Sequence, residues 1–295
     1  MKIIGFPGYV PQSRALADAL GADAGEVEVH GFPDGESRIR LVPPVSRQLI
    51  LYCGLDRPNA KLIELLLAAG AARDLGVETL TLVAPYLCYM RQDKAFRPGE
   101  AVSQRILGAL LGRTFDRVVT LDPHLHRVKD LGEVLPGARA MALSAAPLMA
   151  DYLAAQAAGS GEDHPLLLGP DAESEQWVGA VAAGAGLEYA VASKVRSGER
   201  AVRIRLPGRS FAGRRVILVD DVASTGTTLE MAARRLREAG AGRVEVLVSH
   251  ALFVGDALRR LAEAGVTRIL STDSIPHPSN RIPLAPLLAR ALKQA

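Results

Sequence analysis

Asp220 and Asp221 stand side by side after the apolar run Val216-Ile217-Leu218-Val219, and Val222-Ala223-Ser224-Thr225-Gly226-Thr227-Thr228-Leu229 follows. An uninterrupted apolar run suits a central parallel strand covered on both faces. A helical pattern opens near Thr228. The turn before it can aim several backbone N–H groups and hydroxyls at one point, and the helix start adds its positive dipole end. A phosphate is the natural guest there. The two carboxylates would repel that phosphate. They would instead accept hydrogen bonds from sugar hydroxyls or hold a divalent cation. Phosphate on one side and hydroxyls on the other describe a sugar phosphate. Asp, Ser and Thr also serve as plain helix caps. What separates this segment from a cap is the carboxylate pair at the end of a buried strand, because buried carboxylates without partners are costly.

Other segments carry chemistry of the same kind. Phe32-Pro33-Asp34-Gly35-Glu36 is either a Pro-Asp-Gly turn joining two strands or a base-recognition loop. In the second case Phe32 stacks on the ring and the carboxylates accept hydrogen bonds. Arg91, Gln92, Asp93 and Lys94 follow a strand closely, where open α/β sheets bind ligands. A polyphosphate would meet Arg91, Gln92 and Lys94; the alternative is a polar surface loop. Asp122-Pro123-His124-Leu125-His126 ends another strand, and an imidazole there suits a nucleotide or its Mg²⁺, although the spacing is not that of a zinc site. Gly169-Pro170-Asp171 offers one more strand-end carboxylate. Lys194 and Arg196 alternate, so in extended chain they share a face. The stretch from Lys194 to Ile204 reads as a hairpin turning at Ser197-Gly198-Glu199. It is either an exposed hairpin or an arm that brings two cations onto a phosphoryl group.

The elements that must position these groups alternate along the chain. Strands are expected at 2–6, 48–53, 79–84, 117–121, 166–169, 215–219 and 244–249, and helices near 13–20, 59–75, 103–111, 145–157, 175–186, 228–239 and 256–265. Gly76, Gly186, Gly240 and Gly265 stand where helix C-caps are needed. Such alternation argues for α/β architecture with parallel sheets, divided near Leu143. A chain of 295 residues supports two such cores. With 48% hydrophobic and 23% charged residues the composition is globular, and a net charge of +3 without a long basic run speaks against nucleic-acid binding. No uninterrupted apolar stretch reaches membrane-spanning length, and no signal-peptide layout opens the chain. Two cysteines, Cys53 and Cys88, indicate no disulfide framework and a cytoplasmic setting.

Taken in order, Phe32-Pro33-Asp34-Gly35-Glu36, Pro85-Tyr86 through Arg91-Gln92-Asp93, Asp122-Pro123-His124, Pro170-Asp171, Lys194-Val195-Arg196, Asp220-Asp221 through Leu229, and Thr272-Asp273-Ser274-Ile275-Pro276 resemble the ribose-phosphate pyrophosphokinase family. The resemblance implies two phosphoribosyltransferase-like (Rossmann-like) domains, 1–143 on the ATP side and 144–279 on the ribose 5-phosphate side, with the active site between them. It also implies that a tail, 280–295, returns to the first domain. The implied reaction is attack of the anomeric hydroxyl of ribose 5-phosphate on the β-phosphorus of MgATP, with AMP leaving. Phe32, Asp34 and Glu36 would hold adenine, supplied across a subunit interface of a homo-oligomer built from dimers. Arg91, Gln92, Asp93 and His124 would lie along ATP, and His124 and Asp171 would meet Mg²⁺ or its phosphates. Asp220 and Asp221 would hold the ribose hydroxyls, and Ser224, Thr225, Gly226, Thr227 and Thr228 the 5-phosphate. Lys194 and Arg196 would be catalytic, stabilising charge in the transition state.

Two departures from the family pattern stand out. Thr227 replaces the second of two adjacent glycines, so ordinary backbone angles are expected there. After Asp171 comes Ala172-Glu173-Ser174-Glu175 in place of a small, glycine-rich stretch, and Glu173 or Glu175 is expected to face Mg²⁺ or a sugar hydroxyl. A phosphoribosyltransferase would share the Asp220 loop but leave the first-half motifs without a purpose. A non-catalytic regulatory homologue would explain the altered segment after Asp171 but not the retained Lys194, Arg196 and His124.

Overall fold

A computed structural model describes residues 1–125, 127–128, 130–160, 164–197 and 201–294, with the side chains of 158–160, 196–197 and 201–202 outside the description. Contacts divide the chain into two units. The first holds Met1–Ser144, Ser274–Pro276 and Leu284–Ala295; the second holds Ala145–Asp273 and His277–Pro283.

The first unit runs β1 (Lys2–Gly5), α1 (Val10–Leu20), β2 (Asp23–Gly31), β3 (Ser37–Leu41), β4 (Gln48–Tyr52), α2 (Pro58–Asp74), β5 (Thr79–Val83), α3 (Ser103–Thr114), β6 (Arg117–Leu121), α4 (Leu131–Val134) and β7 (Arg139–Leu143). Its sheet is ordered β3-β2-β1-β4-β5-β6-β7. Every pairing is parallel except β2 with β3. Leu49, Leu51, Leu80, Leu82 and Val118 are fully buried and carry the core onto Leu65, Ala68 and Leu111 of the helices. β2 and β3 were not among the expected strands, because they form a solvated ribbon. Only Val27 and Leu41 of this pair are buried, and Arg40 grips both oxygens of Glu28 at 2.8 Å. The terminal helix seats on α1, and its Lys293 donates to the Ala19 carbonyl at 3.1 Å.

The second unit runs α5 (Ala146–Ser160), β8 (Leu166–Gly169), a 3₁₀ turn (Ala172–Ser174), α6 (Glu175–Ala185), β9 (Tyr189–Val191), β10 (Ser193–Ser197), β11 (Ala201–Arg205), β12 (Arg215–Ala223), α7 (Thr227–Glu238), β13 (Arg243–Ala251), α8 (Ala257–Glu263), β14 (Val266–Thr272) and β15 (Asn280–Ile282). The chain then ends in α9 (Ala285–Gln294), which belongs to the first unit. Its sheet is wholly parallel, ordered β15-β14-β13-β12-β8-β9. β12 lies inside it with Val216, Ile217, Leu218 and Val219 fully buried, as the apolar run requires. β10 and β11 pair antiparallel as a separate ribbon, with Lys194 opposite Ile204. The expected hairpin is therefore present in its strands; Gly198 and Glu199 of its turn lie outside the described residues.

β13 carries a buried charge. Glu245 has no exposed surface and is gripped by Arg215 at 2.9 and 3.2 Å and by Arg243 at 2.7 Å. Removing one partner from a buried ion pair strands the other charge. Glu245→Ala is expected to lower unfolding stability by about 3 kcal/mol. Urea denaturation checks this; an unchanged midpoint would mean that the arginines reach water when released.

Cys53 and Cys88 are free and buried, and burial pushes both thiols up to about 12, so neither is a ready nucleophile. Among the described residues no helix is long and apolar enough to cross a membrane.

Candidate active site

The centre of the second unit's site is the end of β12. Sequence reasoning placed the strand's end at Val219. The strand instead continues to Ala223, because β13 keeps pairing with it: Asp220 faces Val248, Val222 faces His250 and Ala223 faces Ala251. Asp221 is buried, while Asp220 keeps partial exposure. Asp220 Oδ1 accepts from the Asp221 N–H at 3.1 Å, and Asp221 Oδ1 from the Val222 N–H at 2.7 Å. Burial raises the Asp220 carboxyl well above the usual carboxylate range, and the charges of Asp221 and Asp171 push it the same way.

Gly226 caps α7 in the left-handed region, at φ 72°, and Thr227 is the first helical residue with no positive φ. The threonine that replaces a glycine is thus accommodated one step past the position that needs glycine. No side chain caps the helix, so its first N–H groups have no acceptor within the helix and face outward with the Thr225 and Thr227 hydroxyls, which lie 3.2 Å apart. Thr225 and Thr227 are exposed, and Ser224 and Thr228 are half-buried. Such a turn presents donors to an anion.

β8 lies beside β12 with Leu168 level with Leu218, so Asp171 leaves the sheet next to the Asp220–Asp221 end. Asp171 caps the 3₁₀ turn: Oδ1 accepts from the Glu173 N–H at 3.0 Å, and its carbonyl accepts from Ser174 Oγ at 2.5 Å. Its Oδ2 lies 2.5 Å from Lys194 Nζ. The structure therefore gathers Asp171, Lys194, Asp220 and Asp221 in one unit. Arg196 lies on the same strand as Lys194, and its side chain is outside the described residues. The segment after Asp171 turns on Ser174, which is fully buried, whereas Glu173 and Glu175 are exposed. Gly169 leaves room for that serine, since a Cβ there would stand 2.4 Å from Ser174 Oγ. Ser174 was missed by sequence reasoning; the Asp-x-x-Ser spacing of a capping box was its signal.

In the first unit the Phe32 segment is the turn of the β2–β3 hairpin. The Phe32 N–H donates to the Glu36 carbonyl at 2.7 Å, Asp34 Oδ1 accepts from the Glu36 N–H at 3.1 Å, and Gly35 takes φ 93°. The Phe32 ring is 40% exposed and meets His30 edge-on at 4.9 Å, which leaves a face open for stacking. Gln92 is half-buried and Arg91 exposed in the loop after β5. Asp93 is committed: both its oxygens take Arg127 Nη1 at 2.7 Å. Asp122 leaves β6 at φ 35°, its N–H bonded to the Leu143 carbonyl at 2.8 Å, and half-buried His124 follows. β5 and β6 are neighbours, so the Arg91–Asp93 loop and His124 leave adjacent strands. The hairpin does not join them. β1 and β4 stand between β2 and β5, which is roughly 14 Å of sheet. His126 lies outside the described residues. Among those residues no three His, Cys, Asp or Glu side chains form a metal-holding group.

A strand-end carboxylate pair, an uncapped helix start and a lysine held on a neighbouring carboxylate thus lie together in an α/β unit with a wholly parallel sheet. Residues 1–114 match the family model of the N-terminal domain of ribose phosphate pyrophosphokinase, and residues 142–277 match that of the phosphoribosyl transferase domain. The chain is 34% identical to the ribose-phosphate pyrophosphokinase of Methanopyrus kandleri over 99% of both chains, and 33% identical to that of Methanosarcina acetivorans over 100% of both. The phosphoribosylpyrophosphate synthetase of Mycobacterium smegmatis shares its fold, with a TM-score of 0.81 over 99% of this chain and 98% of that one at 24% identity. The chain belongs to the ribose-phosphate pyrophosphokinase family.

Proposed function

We propose that this chain is a working diphosphokinase, which moves the β,γ-diphosphoryl group of ATP to the anomeric hydroxyl of ribose 5-phosphate. The observation that carries the reading is the grouping of the Asp220–Asp221 end, the Gly226-headed turn and the Lys194–Asp171 pair. The turn takes the 5-phosphate and the carboxylates take the ring hydroxyls, which fixes the sugar at both ends. The anomeric hydroxyl oxygen then forms a bond to the β-phosphorus and gives up its proton to water, the bond from that phosphorus to the α-phosphate oxygen breaks, and AMP departs with the electron pair. Lys194 leaves Asp171 for the charge that gathers on the transferring group. Arg196, two residues further along β10, is assigned the same task.

Mg²⁺ suits this donor set. It keeps several waters and takes one or two carboxylates beside substrate phosphates, so the lack of a three-ligand cluster among the described residues does not count against it. When bound, it would neutralise phosphate charge, with Asp171 and His124 as the candidate contacts. Arg91, Gln92 and His124 are assigned to the ATP phosphates, with Asp93 acting through Arg127. Phe32, Asp34 and Glu36, in the β2–β3 turn, are assigned to adenine, supplied across a subunit interface of a homo-oligomer as the family resemblance implies. Incubation with MgATP should release AMP only when ribose 5-phosphate is present. Release of ADP instead would mean single-phosphoryl transfer and would sink the reading.

A further inference from the structure

Three successive carbonyls of the phosphate turn are held from behind. The Leu252 and Phe253 N–H groups donate to the Ala223 carbonyl at 3.1 and 2.9 Å, and the Val254 N–H to the Ser224 carbonyl at 3.0 Å. The third, the Thr225 carbonyl, is taken by a side chain, Arg260 Nη2 at 2.5 Å. In a trans peptide the carbonyl of one residue and the N–H of the next point in opposite directions. Fixing these carbonyls therefore turns the N–H groups of Ser224, Thr225 and Gly226 to the opposite side as a set. Successive N–H groups so arranged make an anion-binding concavity.

Arg260 is itself held. Its Nε lies 3.2 Å from Asp256 and 3.7 Å from Glu230, within ion-pair reach but without an aligned hydrogen bond to either. The two acids hold the guanidinium and leave Nη2 to Thr225. α8 also closes under the turn: a Cβ on Gly226 would stand 3.4 Å from Ala257 and 3.6 Å from Leu261.

We propose that Arg260 is a positioning residue for the sugar phosphate, locking the Gly226 N–H toward the 5-phosphate without touching it. This rests on reading the turn as the 5-phosphate site. Arg260→Ala is expected to raise KM for ribose 5-phosphate about tenfold. Its kcat and its KM for ATP should stay near wild type. Arg260→Lys, which keeps one charged donor, should recover most of the affinity. Calorimetric titration with ribose 5-phosphate should show the same loss without turnover. A wild-type protein that bound the sugar phosphate but made no product would refute the diphosphokinase and leave the clamp to be judged by binding. Should Arg260→Ala not fold, Arg260→Met keeps the packed stem, lacks the donor and should show the same rise. Unchanged KM and calorimetric affinity in a folded variant, or a fall in kcat alone, overturns the proposal.

Discussion

Lys194→Ala is expected to lower kcat by about 10²-fold or more while the protein stays folded. The lysine is 40% exposed and lies on a ribbon outside the main sheet, so its loss leaves the core intact, and Asp171 keeps its hydrogen bond from the Glu173 N–H. Its place on a two-stranded ribbon outside the main sheet gives it reach. In the absence of substrate, Asp171 occupies the ammonium; during reaction the diphosphoryl oxygens compete for it. Circular dichroism and thermal melting should match wild type, and KM for ribose 5-phosphate should change little, because the proposed sugar site lies on β12 and α7. Turnover close to wild type would remove Lys194 from the chemistry. A large drop in melting temperature would instead make the Lys194–Asp171 pair structural.

Asp220→Asn is expected to move activity and stability in opposite directions. The raised Asp220 carboxyl means that the folded state binds a proton more tightly than the unfolded chain does. Stability at this site is then highest at low pH and declines as pH rises from the ordinary carboxylate range through the folded value. Above that value Asp220 is charged, partly enclosed and beside two other carboxylates. Asparagine has no proton to lose, so the variant escapes this decline and should melt a few degrees higher at pH 8, with the gain shrinking toward pH 4. The same change removes the acceptor proposed for the sugar hydroxyls and should cut kcat/KM for ribose 5-phosphate by about 10²-fold. Melting curves across pH, paired with initial rates, check both halves. A variant less stable at pH 8, or equally active, would contradict the role given to this carboxylate.

How far the sequence carried varied with the physics of each element. The buried parallel strands Leu166–Gly169 and Val216–Val219 were legible because they are apolar without interruption, whereas the parallel strand Val266–Thr272 was not, since Thr267, Arg268, Ser271 and Thr272 interrupt its apolar residues. The β2–β3 ribbon was not, since its two faces are mostly solvated and its alternation, Val27-x-Val29 and Ile39-x-Leu41, is weak. β12 outran its apolar run because backbone pairing with β13 continues regardless of side-chain polarity. At the site, local chemistry was readable: the phosphate turn, the strand-end acids and the alternating cations all follow from residue type and spacing. Contacts distant in sequence were not. Nothing in the string ties Lys194 to Asp171, Asp93 to Arg127 or Arg260 to Thr225, since those pairings arise only when strands and helices assemble. The glutamates after Asp171 drew notice as charges, while the quiet Ser174 between them took the buried position.

In a diphosphokinase the β- and γ-phosphoryl groups of ATP travel together onto the anomeric oxygen of ribose 5-phosphate. Phosphorus NMR of the full chain with Mg²⁺, ATP and ribose 5-phosphate tests it most directly. The triphosphate signals are expected to give way to AMP and to a new two-phosphorus spin system coupled to the sugar's C1 proton, with the 5-phosphate signal retained. Appearance of ADP with a single new phosphate ester, or an unchanged triphosphate beside ribose 5-phosphate, would contradict it.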